Sequence, residues 1–150
     1  MKTRVPKENW ASEKVRKYVP PIREKAVLFA IAAHCRPDGT NAWPSMKAIA
    51  EDLGISPRTV KRHVKQLERD RLLKVMRPGR NDYLPNMYEI VLCRWTTAEL
   101  DLITAGTGGW IELPLDLANV PEGVAKVGWW EDMFGGALKI STAGGKGGKG

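Results

Sequence analysis

The chain has 150 residues, of which 27% are charged and 43% hydrophobic, with a formal net charge of +7 and a pI of about 9.6. That balance fits a packed domain of ordinary size, or a small domain with added segments. Two cysteines, Cys35 and Cys93, make no disulfide framework, the start carries no secretory apolar region, and no apolar run nears the ~20 residues of a membrane span. A soluble cytoplasmic protein without a membrane partner is expected.

The charge is uneven. Residues 1–93 carry 19 Lys/Arg against 10 Asp/Glu, whereas residues 94–150 carry 5 against 7. A basic region of this kind suits a polyanionic partner, because neutralising phosphates releases their counterions.

Residues 1–21 form a basic N-terminal extension, with Lys2, Arg4, Lys7, Lys14, Arg16 and Lys17. A short helix over 8–18 is expected, stopped by Pro20-Pro21. Only Trp10, Val15 and Tyr18 offer apolar surface there, so the segment reads either as an arm reaching a nucleic acid or as a frayed extension that partly packs. Residues 22–35 read as a core helix, closed by the turn Arg36-Pro37-Asp38-Gly39.

Ser45 reads as the N-cap of a helix over 46–53, with Met46, Ile49, Ala50 and Leu53 on one face and Gly54 ending it. Ser56 caps the next helix, and Pro57 suits its first position, where an N–H has no intrahelical partner. Val60, Val64 and Leu67 give that helix its inward stripe, while Arg58, Lys61, Arg62, Lys65 and Arg69 share the opposite face. His63 reads as a packed or edge residue, Trp43 as a core or staple residue and Tyr88 as packing in the later strand.

Residues 72–77 read as a strand, 78–82 as a turn-rich basic tip, and 87–92 as the returning strand. Beyond Cys93 the pattern loosens. A short helix is expected over 96–103. Ile111, Leu113, Leu115 and Leu117 alternate, but Pro114 argues against a central strand. Trp129, Trp130, Met133 and Phe134 form an aromatic cluster that reads as a docking peptide, the alternative being that it folds back on the domain. The Gly-Lys end, 144–150, is low in complexity and expected to be disordered.

Two short helices, a tight turn and a following ribbon resemble the winged helix-turn-helix family of bacteria, phages and plasmids, some members of which initiate replication. The matching residues are Gly39-Thr40-Asn41-Ala42-Trp43-Pro44-Ser45, Ala48-Ile49-Ala50, Gly54-Ile55-Ser56-Pro57-Arg58-Thr59-Val60, Leu67 and Asn86-Met87-Tyr88-Glu89-Ile90. One departure is Arg71, where the family usually has glycine. The resemblance implies an α+β fold, with a three-helix core and a two-stranded wing over 22–93, followed by a largely irregular tail over 94–150.

It also implies binding to double-stranded DNA. Arg58 and Arg62 are placed to read guanine edges in the major groove. Ser45, Lys47, Ser56, Thr59, Lys61 and Lys65 suit phosphates, and Arg77 and Arg80 on the wing suit backbone or minor groove. A transcriptional regulator, acting as a repressor, is the leading expectation. The alternatives are a replication initiator or helicase-loading factor, and a winged helix used only for protein contact. The tail would then recruit a replication or transcription protein. His34, Cys35, His63 and Cys93 lack metal-site spacing, and no phosphate loop or nucleophile elbow is present, so neither a metal, a cofactor nor an enzyme activity is expected. The sequence leaves oligomeric state open.

Overall fold

The computed structural model describes residues 6–77, 86–124 and 127–134. Six α-helices are described: α1 (Ala11–Tyr18), α2 (Lys25–Ala32), α3 (Met46–Leu53), α4 (Pro57–Arg69), α5 (Thr97–Ile103) and α6 (Val127–Phe134). Two strands, β1 (Leu73–Met76) and β2 (Met87–Ile90), pair antiparallel with Leu73 opposite Ile90 and Met76 opposite Met87. Ala42 adds a single bridge to Tyr88 on the free side of β2. This is the helical core and two-stranded wing expected of a winged helix.

Helix α2 is central and packs against α1, α3, α4 and β2. Its many neighbours explain its composition: Val27, Leu28, Ala30, Ile31 and Ala32 are all buried, so the helix is apolar on most sides rather than amphipathic. It begins later than expected, because Pro20-Pro21 and a turn occupy the chain up to Glu24. The turn after it needs glycine at position 39. Gly39 has φ +88°, and a Cβ there would lie 2.7 Å from Cβ of Cys93, where no side chain fits.

The N-terminal helix departs from the sequence reading. Ala11, Lys14, Val15 and Tyr18 of α1 are buried, with Val19 just beyond. Their spacing is the i, i+3/4, i+7 stripe of a core helix, but alanine and lysine fill half of it, which hides the stripe from an apolar count. The Lys14 ammonium donates a 2.8 Å hydrogen bond to the Trp95 carbonyl, and burial lowers its pKa. The Tyr18 hydroxyl donates to the Asp101 carboxylate at 2.7 Å; burial first, and that hydrogen bond second, raise its pKa. Thus α1 is bolted to the segment that follows the wing.

That segment is also more ordered than expected. Helix α5 starts with a full capping box, in which Thr96 and Glu99 each satisfy the other's free backbone N–H. Residues 110–124 form no described strand, but they are tied down by backbone hydrogen bonds from Ile111 to Tyr18 and from Leu115 to Asp70. Ile111, Leu115, Val120 and Val124 are buried.

The exit from α4 carries the Arg71 departure noted above. Arg71 has φ +61°, and Leu72 N–H bonds the Leu67 carbonyl while Arg71 N–H bonds that of Glu68. This is a Schellman closure, whose left-handed position favours glycine. Arg71→Gly is expected to stabilise the protein by about 0.5–1 kcal/mol, after discounting the looser unfolded chain. A rise in melting temperature of roughly 2 °C would show it, and a fall would refute it.

Candidate nucleic-acid interface

The interface is built on α3 and α4. Ser45 and Ser56 are their N-caps: the Ser45 hydroxyl oxygen accepts from Ala48 N–H at 3.0 Å, and the Ser56 oxygen accepts from Thr59 N–H at 3.1 Å. Each cap is worth about 1 kcal/mol. The Thr59 and Ser56 hydroxyls also share a 3.0 Å hydrogen bond. Their first duty is therefore to start the helices at the right place.

Between the helices the chain reverses at Gly54, which has φ +70°. Ile55 N–H then bonds the Ala50 carbonyl at 3.1 Å, closing α3. Ala50 is buried, so the two helices cross closely there, and α4 lies across the core with Val60, Val64 and Leu67 inward. His63 is buried beside them, as its position between Val60 and Val64 suggested.

At 100° per residue, Arg58, Lys61, Arg62, Lys65 and Arg69 fall within about 100° of arc on the outer face. All five are exposed. Among the described residues, the side chains of Arg58, Lys61, Arg62 and Lys65 have no hydrogen-bond or ion-pair partner. Arg69 donates to Gln66 of its own helix at 3.1 Å. Lys47, near the start of α3, is exposed. Four cations with nothing to neutralise them on one helix face create a positive field that an external anion can satisfy.

Arg77 sits differently from its neighbours. Its two terminal nitrogens donate to the two carboxylate oxygens of Glu68 at 3.1 and 3.0 Å, so its guanidinium already holds a bidentate partner within the chain. Arg80 lies outside the described residues.

Trp43 overturns its expected core role: it is 56% exposed. The residues on either side, Ala42 and Pro44, are buried, and Ala42 pairs with Tyr88. Extended backbone alternates its side chains, so burying 42 and 44 turns 43 outward. Tyr88 is buried in the wing, as its strand position suggested.

The docking cluster is also corrected. Trp130 is 1% exposed and Met133 5%. Trp129 lies edge-on to Trp95 at 4.9 Å between ring centroids, and Trp130 is 6.1 Å from Trp95. Arg94 bonds Glu89 at 2.8 Å and stacks on Trp129, while the Lys74 ammonium donates to the Met133 carbonyl at 2.6 Å. That lysine answers the negative end of α6. Trp130 and Met133 are core and Trp129 is half-buried against it, so the cluster folds back on the domain; the Phe134 side chain lies outside the described residues.

Among the described residues, no group of three or more His, Cys, Asp or Glu side chains could hold a metal, and no helix is long and apolar enough to cross a membrane. Residues 23–73 match the model of a family described as a helix-turn-helix domain. The matched stretch runs from the start of α2 into β1 and so contains both helices of the interface. No curated protein and no solved structure compared with the chain matches it.

Proposed function

From the match of residues 23–73 to a helix-turn-helix domain family, we propose that the protein binds a specific duplex site and acts as a transcriptional repressor by occupying it. The observation that carries this reading is the unneutralised outer face of α4. Arg58 and Arg62 supply base readout, each able to grip guanine O6 and N7. Lys47, Lys61 and Lys65, with the hydroxyls of Ser45, Ser56 and Thr59, hold the backbone and fix the register. The protein works by binding rather than by catalysis.

Burial of Trp130 and Met133 favours regulation over replication initiation, because an initiator of the kind envisaged would have to offer those side chains to a helicase or its loader. The test is selection of bound fragments from the source genome. Enrichment of promoter-proximal sites is expected; enrichment of repeated origin elements would replace the repressor reading with the initiator one.

Two further substitutions separate positioning from reading. Lys61→Ala and Lys65→Ala are each expected to weaken all duplexes by similar factors and to flatten the plot of log affinity against log salt by about one. A loss confined to one sequence would instead place that lysine on a base.

A further inference from the structure

We propose that Glu68 is a positioning residue that sets the wing against the recognition helix by clamping Arg77, and that Arg77 serves this clamp rather than the DNA backbone. The inference rests on the DNA-binding reading above and assigns a role within that site.

The geometry is a two-point attachment. At one end, the Schellman closure at Arg71 and Leu72 joins α4 directly to β1. Burial of Leu72 and Leu73 and the pairing of β1 with β2 then hold the near part of the strand. About 16 Å further along the extended chain, Arg77 leaves β1 and returns to α4 through the paired hydrogen bonds to Glu68, 3.1 and 3.0 Å long. This hold at the far end of β1 adds to the core packing and strand pairing in fixing the angle between strand and helix. Tyr88 of β2 stands near enough to feel the charges of both Arg77 and Glu68, so the clamp lies where helix and both strands converge.

The choice of residues fits the role. A planar guanidinium against a carboxylate fixes orientation as well as distance, which a lysine would not. Both side chains are partly exposed, at 52% and 29%, so the pair adds little to global stability and its effect falls on geometry. Glu68 is also the sole acid in α4, an odd presence in the helix that must approach phosphates unless its charge is already spent.

The experiment measures binding of the full chain to the selected genomic fragment and to a random-sequence duplex at several salt concentrations. Glu68→Gln is expected to weaken binding to the selected fragment by about fivefold, the factor that coupling in an exposed pair can supply. Arg77→Gln should do the same, and the double variant should be no worse than either. The salt slope should stay unchanged. Exchanging the two residues (Glu68→Arg with Arg77→Glu) should restore much of the affinity with the salt slope unchanged, whereas a new phosphate contact from the relocated guanidinium would steepen it.

Opposite results overturn the inference. If Arg77 contacts phosphate and Glu68 merely competes for it, Glu68→Gln strengthens binding and Arg77→Gln flattens the salt slope by about one. Unchanged affinity in both single variants, with the unsubstituted protein binding normally, overturns it equally. Should the unsubstituted protein show no salt-dependent duplex binding, the DNA reading itself fails and takes the clamp's function with it. Melting curves of each variant check that the fold is retained.

Discussion

Replacing Arg58 and Arg62 together with alanine is expected to lower affinity for the specific duplex site by at least about 30-fold, because each bidentate arginine–guanine contact is worth about 1–3 kcal/mol. Binding to random duplex should fall much less, through loss of charge alone. Stability should change by no more than roughly 0.5 kcal/mol, since both side chains are exposed and neither has a partner among the described residues. Fluorescence anisotropy with specific and random duplexes, beside a thermal melt, reads all three quantities. Unchanged specific affinity in the double variant would overturn the assignment of α4 as the recognition helix. Equal losses on both duplexes would instead make these arginines phosphate contacts.

The sharpness of that expectation comes from how plainly the central motif is written in the sequence. Ser45, Gly54, Ser56 and Pro57 are local signals whose meaning depends on backbone chemistry within a few residues. They place α3 and α4 with boundaries the structure reproduces. The wing is legible for the same reason: two short apolar runs flank a turn-rich segment, and their pairing follows.

What stayed hidden depends on residues distant in sequence. The stripe of α1 contains Lys14, and nothing near it reveals that the Trp95 carbonyl, 81 residues away, would accept its hydrogen bond. Arg77 looks like one more basic residue on the wing until Glu68 is found opposite it. Trp43 looks like a staple because large aromatics before a cap usually pack, but Ala42 and Pro44 already take the inward positions. In each case the deciding fact is a neighbour supplied by the tertiary fold, which local propensity does not encode.

The same cause explains the C-terminal third, where the second large effect is expected. Trp130→Ala should destabilise the protein by about 3–5 kcal/mol, the usual cost of deleting a buried aromatic side chain. Trp130 is almost wholly buried and packs on both Trp95 and Trp129, so its loss opens a cavity that α6 cannot readily fill. Trp95 in turn receives Lys14 of α1 on its carbonyl, and the Lys74 ammonium of β1 reaches α6 at Met133. The damage should therefore spread beyond α6 as a loss in the single cooperative unfolding transition, seen as a lower denaturant midpoint with an unchanged slope. A docking peptide predicts the contrary, with stability unaffected and only a partner's affinity reduced. Should the variant unfold with an unaltered midpoint, α6 would be an appendage after all, and the partner-recruiting tail would return as the better account of these tryptophans. The burial of Trp130 among aromatic neighbours argues for the first result: the rings pack on one another, and the Lys74 ammonium ties β1 to the end of α6.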